Sequence, residues 1–180
     1  MILFTSSRWE AVTPVIAELL FFFGVICVGI AALGRVWCSL YIAGRKDRQL
    51  VCEGPYSLTR NPLYFFSFIG IIGAGLATET ITIPLFFLAT FSIYYPFVIS
   101  AEERKLAVLF PQDFPSYCQR VPRFFPRLAG FIEPDSYTVN PSIVRRHMCS
   151  VVWFIWIVGF LEIIELLHER GILPVYWNVY

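Results

Sequence analysis

Apolar residues run almost unbroken through four stretches of the chain, at about residues 14–43, 63–77, 81–101 and 148–167, and most of the charge lies between them. About 20 apolar residues span a hydrocarbon core. The pattern therefore predicts an all-α fold, a polytopic membrane bundle of about four transmembrane helices. The first stretch exceeds one span and holds Gly34 and Arg35, so it either bends there or ends as an interfacial helix. The second is short and glycine-rich (Gly70, Gly73, Gly75), which suits close packing against a neighbouring helix. Only residues 78–80 separate it from the third. These two spans are expected to form an antiparallel helical hairpin.

Composition agrees and adds direction. With 57% hydrophobic, 18% aromatic and 15% charged residues, the chain is excluded from the soluble domains. Arg45, Lys46, Arg48 and Arg60 lie between spans one and two, and Arg104, Lys105, Arg120, Arg123, Arg127, Arg145 and Arg146 between spans three and four. The other side has only Arg8 and Arg170. The positive-inside rule puts both long polar segments in the cytoplasm and both termini outside; the expected location is a bacterial inner membrane. No cleavable signal peptide is expected, because the first apolar run is too long and lacks a basic leader. The net charge of +1 says nothing about partners, and no nucleic acid is expected among them. The five cysteines form no metal-ligand spacing, so neither disulfides nor a metal site is expected.

One segment departs from what crossing a bilayer requires. Residues 54–64 read Gly-Pro-Tyr-Ser-Leu-Thr-Arg-Asn-Pro-Leu-Tyr, directly before the second span. Pro55 and Pro62 fix the backbone and restrict the residues before them, Gly54 permits a tight turn, and Arg60 is held beside the membrane surface. A second cytoplasmic piece begins with Ala101-Glu102-Glu103-Arg104-Lys105-Leu106 and runs to about Arg127. Its first part is helical by pattern over residues 102–110 and is stopped by Pro111. Residues 114–122 then read as a short amphipathic turn or helix. Pro126, Pro134 and Pro141 make residues 129–147 an irregular linker before the final span, placed where it would cover a site like a lid.

Together these blocks resemble the isoprenylcysteine carboxyl methyltransferase family and its phospholipid methyltransferase relatives. That family carries Gly-x-Tyr and then Arg-His-Pro-x-Tyr at the start of a membrane helix; here the residues are Gly54-Pro55-Tyr56 and Arg60-Asn61-Pro62-Leu63-Tyr64. A hairpin follows, then Glu102-Glu103-Arg104-Lys105-Leu106, Phe110-Pro111, Phe114-Pro115-Ser116-Tyr117 and Val121-Pro122-Arg123-Phe124-Phe125-Pro126. The resemblance covers about residues 34–128 of a single integral membrane domain, with order and spacing kept.

The resemblance implies an integral membrane enzyme that binds S-adenosyl-L-methionine in a cytoplasmic pocket and methylates a lipophilic small molecule or lipid. Gly54, Pro55, Tyr56, Arg60, Asn61, Pro62, Tyr64, Glu102, Glu103 and Tyr117 are the expected cofactor-binding residues, with Arg60, Asn61 and Glu102 as the catalytic ones. The residue types suit that cofactor. Tyr56 and Tyr64 would stack on or cover its flat and cationic parts, Arg60 would pair with its carboxylate, and Asn61 would donate and accept hydrogen bonds. Glu102 or Glu103 would hold the amino group or the ribose, or orient the acceptor. Two positions depart from the family pattern. Asn61 replaces the usual histidine and cannot titrate, which suits a hydrogen-bonding role. Val98 stands where carboxyl-methylating members carry an arginine, which opens the acceptor to amines, phenols or other lipids.

Plainer readings exist for each residue. Arg60 would serve as a snorkelling anchor, Tyr56 and Tyr64 as interfacial aromatics, and Glu102 as the start of a solvated helix. Tyr117, Arg120 and Arg123 line the pocket or bind anionic headgroups. Arg35, Glu18, Glu162 and Glu165 are charges in or near spans without an assigned partner. His147 reads as interfacial, and Trp153, Phe154, Trp156 and Phe160 as lipid-facing or packing surface. The competing functions are an NADPH-dependent membrane reductase of the sterol-reductase type and a non-enzymatic membrane protein on the same scaffold.

Overall fold

A computed structural model describes residues 5–180, apart from a few side chains that include those of His147 and Phe154. Those two expectations lie outside the described residues. The fold is a helical membrane bundle, as the apolar runs predicted. Strand β1 (Thr5–Ser7) and helix α1 (Arg8–Val12) precede the long helix α2 (Pro14–Ile42). A short α3 (Pro55–Leu58) leads into α4 (Pro62–Leu76), which a tight turn joins to α5 (Thr82–Leu109). Helix α6 (Phe114–Arg120), a 3-10 turn (Leu128–Gly130), α7 (Pro141–Glu169) and strand β2 (Trp177–Val179) complete the chain.

Among the described residues, α2, α5 and α7 are long and apolar enough to cross a membrane, whereas α4 has 15 residues. At 1.5 Å per residue α4 is about 22 Å long, so it falls short of a full span, as its short apolar run suggested. Helix α2 runs through Gly34 and Arg35 to Ile42 as one continuous helix, the extent of the first apolar run. One boundary differs from the sequence pattern. Helix α7 starts at Pro141, seven residues before the apolar run, because proline is well placed in a first helical turn where no N–H is needed. Trp153, Trp156 and Phe160 are exposed on α7, as a lipid-facing surface requires.

The chain divides into two compact units. One comprises residues up to Ala31, Phe68–Thr90 and Val152–Tyr180. Here glycine sets the packing. A Cβ at Gly73 would lie 2.7 Å from Cys27 Cβ and 2.8 Å from the Gly24 carbonyl, so α2 and α4 approach almost backbone to backbone. The short strands pair in parallel, with Thr5 opposite Trp177. The Tyr180 carbonyl accepts from the Ile81 and Thr82 amides at 2.9 and 2.7 Å, satisfying donors that the start of α5 would leave unpaired.

The second unit, Ala32–Ser67 with Phe91–Val151, carries the motif blocks. Its interior is built on Cys38, Tyr41 and Tyr56, and on Phe114, Tyr117 and Val121. Close approach again depends on glycine. A Cβ at Gly34 would run into the Phe66 ring, so only glycine lets α2 and α4 meet there.

Candidate active site

Gly54 begins the site with a conformation that only glycine tolerates well (φ +58°, ψ −132°). The Tyr41 ring fills the place where its side chain would be. Pro55 and Pro62 each open a helix, α3 and α4, where their missing N–H costs nothing. The segment between them is buried from Gly54 to Thr59.

A second stretch of chain clasps it. The Gly54 amide donates to the Ile132 carbonyl (2.7 Å), Arg127 N to Leu58 O (3.0 Å) and Arg60 N to Pro122 O (2.9 Å). The Ser57 hydroxyl accepts from the Ile132 amide at 3.0 Å and donates to the Gly54 carbonyl at 2.6 Å. Tyr117 on α6 donates its buried hydroxyl to the Tyr56 carbonyl at 2.7 Å. Burial pushes the Tyr117 and Tyr56 phenols up, and pushes the Cys52 thiol up to about 11, so all three stay protonated near neutral pH. Thus the Val-Pro block, residues 121–126, together with the turn after it, supports the first motif.

Side chains tie the clasp to α5. Glu103 Oε1 lies 3.1 Å from Arg60 Nε, and its Oε2 lies 3.0 Å from Arg123 Nε. Arg60 Nη1 also donates to the Cys118 carbonyl (3.2 Å), and Arg123 donates to Ser100 (2.6 Å). Asn61 is buried, and its Nδ2 donates to the Arg123 carbonyl at 2.9 Å, with a weak contact of 3.5 Å to Glu103. A side-chain amide is suited to this position, since it donates without carrying charge into a buried place.

A cavity of about 320 Å³ opens beside this frame, wholly within the second unit and within the size range of small-molecule sites. From the first motif Tyr56, Arg60, Asn61, Pro62 and Tyr64 line it; from the second block come Glu102, Leu106 and Tyr117. Lys46, Asp47 and Gln49 line it from the loop after α2. Glu102 pairs loosely with Lys46, at 3.8 Å and partly exposed. The Tyr56 hydroxyl is buried and has no hydrogen-bond partner among the described residues. Tyr64 packs edge-on against Tyr95, ring centroids 5.5 Å apart.

The sequence-derived residues thus divide. Tyr56, Arg60, Asn61, Pro62, Tyr64, Glu102 and Tyr117 are brought to one cavity. Gly54, Pro55 and Glu103 are not among its lining residues: the first two form the turn behind Tyr56, and Glu103 joins Arg60 to Arg123. Sequence reasoning missed Tyr95, hidden in an apolar run, and left Arg35 unassigned. Both line the cavity. The available signal for Tyr95 is its place seven residues before Glu102, two turns away on the same face of α5.

The Phospholipid methyltransferase family matches residues 12–113, more than half of the chain and all of the first motif through α5. The chain belongs to that family. It is 40% identical over 172 residues to the cobalt-zinc-cadmium resistance protein CzcN of Cupriavidus metallidurans, which covers 96% of this chain and 78% of that protein. It is 38% identical over 170 residues to the nickel-cobalt-cadmium resistance protein NccN of Alcaligenes xylosoxydans xylosoxydans, covering 94% and 78%. No solved structure matches the chain. Family membership identifies the chain as a methyltransferase-family membrane protein, and the clasped motif lies inside the matched region apart from the residues 114–132 that hold it.

Proposed function

We propose that the protein transfers a methyl group from S-adenosyl-L-methionine to a lipophilic acceptor. The observation that carries this reading is a cavity lined by residues of both motif blocks. Its donor set fits the cofactor. The orphaned Tyr56 hydroxyl and the Tyr56 and Tyr64 rings suit an adenine or a sulfonium. Glu102 suits the ammonium and Lys46 or Arg60 the carboxylate, while Ile42, Leu50 and Val51 supply apolar wall. When bound, the sulfonium supplies a methyl group already activated for transfer.

The chain's own task is alignment and exclusion of water. Arg60 is held by Glu103 and the Cys118 carbonyl, so its guanidinium is oriented before a ligand arrives. Asn61 fixes the start of α4 against the Arg123 carbonyl and moves no proton. Glu102 orients the donor or the acceptor from a partly exposed position. In the proposed topology the cavity faces the cytoplasm of a bacterial inner membrane, the donor enters from water, and the acceptor enters sideways from the bilayer.

The test is transfer of labelled methyl from S-adenosyl-L-methionine to a total membrane lipid extract, with the product identified by mass. Labelled product that disappears in Glu102→Gln supports the reading, and no labelled product with correctly folded protein opposes it. The metal-resistance role in the names of the two relatives is extended to this chain as its physiological setting. A strain lacking the chain should then lose tolerance to cobalt or cadmium, and a Glu102→Gln copy should not restore it.

A further inference from the structure

The stretch that clasps the first motif has an outer face that the cavity does not use. Four large apolar side chains lie exposed within eight residues of it, outside the membrane-length helices: Phe125 (73% exposed), Leu128 (78%), Phe131 and Ile132. Exposed apolar side chains clustered in this way mark an interaction surface. Arg120, Arg123 and Arg127 are interleaved with them. The Glu103 carboxylate takes Arg123 and Arg60, and Glu133 accepts from Tyr41 at 3.2 Å. Among the described residues no carboxylate comes within ion-pair distance of Arg120 or Arg127. Neither arginine lines the cavity.

Ring contacts fix the depth of this face. The Phe124 ring packs on Phe65 of α4 and Phe91 of α5, centroids 5.9 and 5.8 Å away. Phe91 lies eleven residues before Glu102, about 16 Å along a membrane-length apolar helix. Phe124 therefore sits deeper than the charged end of α5, and its exposed neighbour Phe125 meets acyl chains. Farther along, Phe131 packs on Trp37 at 6.0 Å, five residues inside the end of α2. The arginines lie on the other side of this level. Val121, beside Arg120, packs in the cluster joined by Leu106, one turn past Glu102, and Arg127 donates to the Arg120 carbonyl at 2.7 Å. Apolar tips below guanidinium groups are the arrangement of an interfacial segment.

We propose that residues 120–132 form a membrane-docking strap for anionic phospholipid, in which Arg120 and Arg127 hold the headgroup phosphate while Phe125 and Leu128 enter among the chains. Arginines at a bilayer surface favour anionic lipid, whereas a zwitterionic headgroup brings its own cation to them. The same strap supplies the Pro122 and Ile132 carbonyls that accept from the Arg60 and Gly54 amides, and the Arg127 amide that donates to Leu58. Docking on an anionic bilayer thus tightens the clasp on the first motif. The strap does not depend on the methyl-transfer reading; only its effect on donor affinity does.

The test is hydrogen–deuterium exchange of the full-length protein in lipid nanodiscs of dioleoylphosphatidylcholine, alone or with about 30% dioleoylphosphatidylglycerol. The amides of residues 54–60 and 122–132 should exchange about fivefold or more slowly with the anionic lipid, and S-adenosylhomocysteine should bind about threefold tighter. Arg120→Gln/Arg127→Gln should exchange alike in both bilayers. Arg45→Gln/Arg48→Gln, which removes two basic side chains elsewhere, should keep the difference. Leu128→Ser should speed exchange in both. If the Arg120 and Arg127 double variant does not fold, wild type carries the test: raising salt from about 0.05 to 1 M should remove the difference, because headgroup contacts are screened. Equal exchange of wild type in the two bilayers would overturn the proposal. So would a difference that survives loss of both arginines or high salt, or one lost equally in the Arg45 and Arg48 variant. Equal S-adenosylhomocysteine affinity in the two bilayers would overturn the strap's link to the motif. No S-adenosylhomocysteine binding in either, with the exchange difference intact, would remove the methyl-donor reading and leave the strap standing.

Discussion

The buried block at residues 54–61 and the long helix α5 contribute to the same cavity in opposite ways. The block is a frame. Its amides and carbonyls are taken up by residues 117–132, and its backbone depends on Gly54 and two prolines. Helix α5 needs no such help, because its backbone hydrogen bonds are internal apart from its ends and Pro96. It is therefore free to present side chains, and adjacent carboxylates on it serve different ends. Glu103 turns to Arg60 and Arg123 and braces the frame, while Glu102 faces the cavity. Conformation is stored in the loop, and chemistry is presented by the helix.

The largest expected break of this contrast is in the frame. Gly54→Ala places a Cβ into the Tyr41 ring at a backbone angle that alanine resists. It should destabilise the protein by about 3 kcal/mol, seen as a lowered thermal midpoint in detergent and lost activity together. An unchanged midpoint would show that the block is not a rigid frame. Next comes the carboxylate pair. Glu102→Gln should reduce turnover about tenfold or more with the midpoint unmoved. Glu103→Gln should cost about 1–2 kcal/mol of stability, since its partner Arg60 is mostly buried while Arg123 is half exposed. Swapped outcomes would exchange the roles assigned to the two residues.

Tyr56→Phe is a finer probe. The hydroxyl has no partner among the described residues, so its removal should leave stability unchanged or slightly raised. Affinity for S-adenosylhomocysteine should fall about fivefold, the worth of one hydrogen bond. A drop in stability without a change in affinity would mean the hydroxyl has a structural partner. The smallest effect concerns alkali. Burial raises the Cys52 thiol from 9.0 to about 11, so the folded state holds its proton after the unfolded state has lost it. That contribution is complete below pH 9 and is lost as pH rises through about 11. Cys52→Ala should flatten the fall in thermal midpoint over this window, and an equally steep fall would place its cause elsewhere.

Much of this was legible in the residues. Long apolar runs with few charges marked α2, α4, α5 and α7, because a span must hide its backbone and expose mainly apolar side chains. The Gly54–Tyr64 block stood out because prolines and an arginine are poor choices for a membrane-helix entry. What a sequence does not show is rotation. Glu102 and Glu103 are neighbours on the chain, but each residue turns the helix by about 100°, and only packing decides which carboxylate meets Arg60. Arg35 was visible as a charge within a span, but its contact with Ser67 was not, since Ser67 is 32 residues away on another helix. Tyr95 was invisible because an aromatic among aromatics carries no contrast. Asn61 drew attention as a departure from a family pattern, and its role became readable once its amide was seen to hold the Arg123 carbonyl.

The central claim is that this cavity holds a methyl donor, and titrating purified protein with S-adenosylhomocysteine and with NADPH tests it most directly. The account predicts saturable binding of S-adenosylhomocysteine, weakened in Tyr56→Phe, and none of NADPH. Binding of NADPH alone would contradict it.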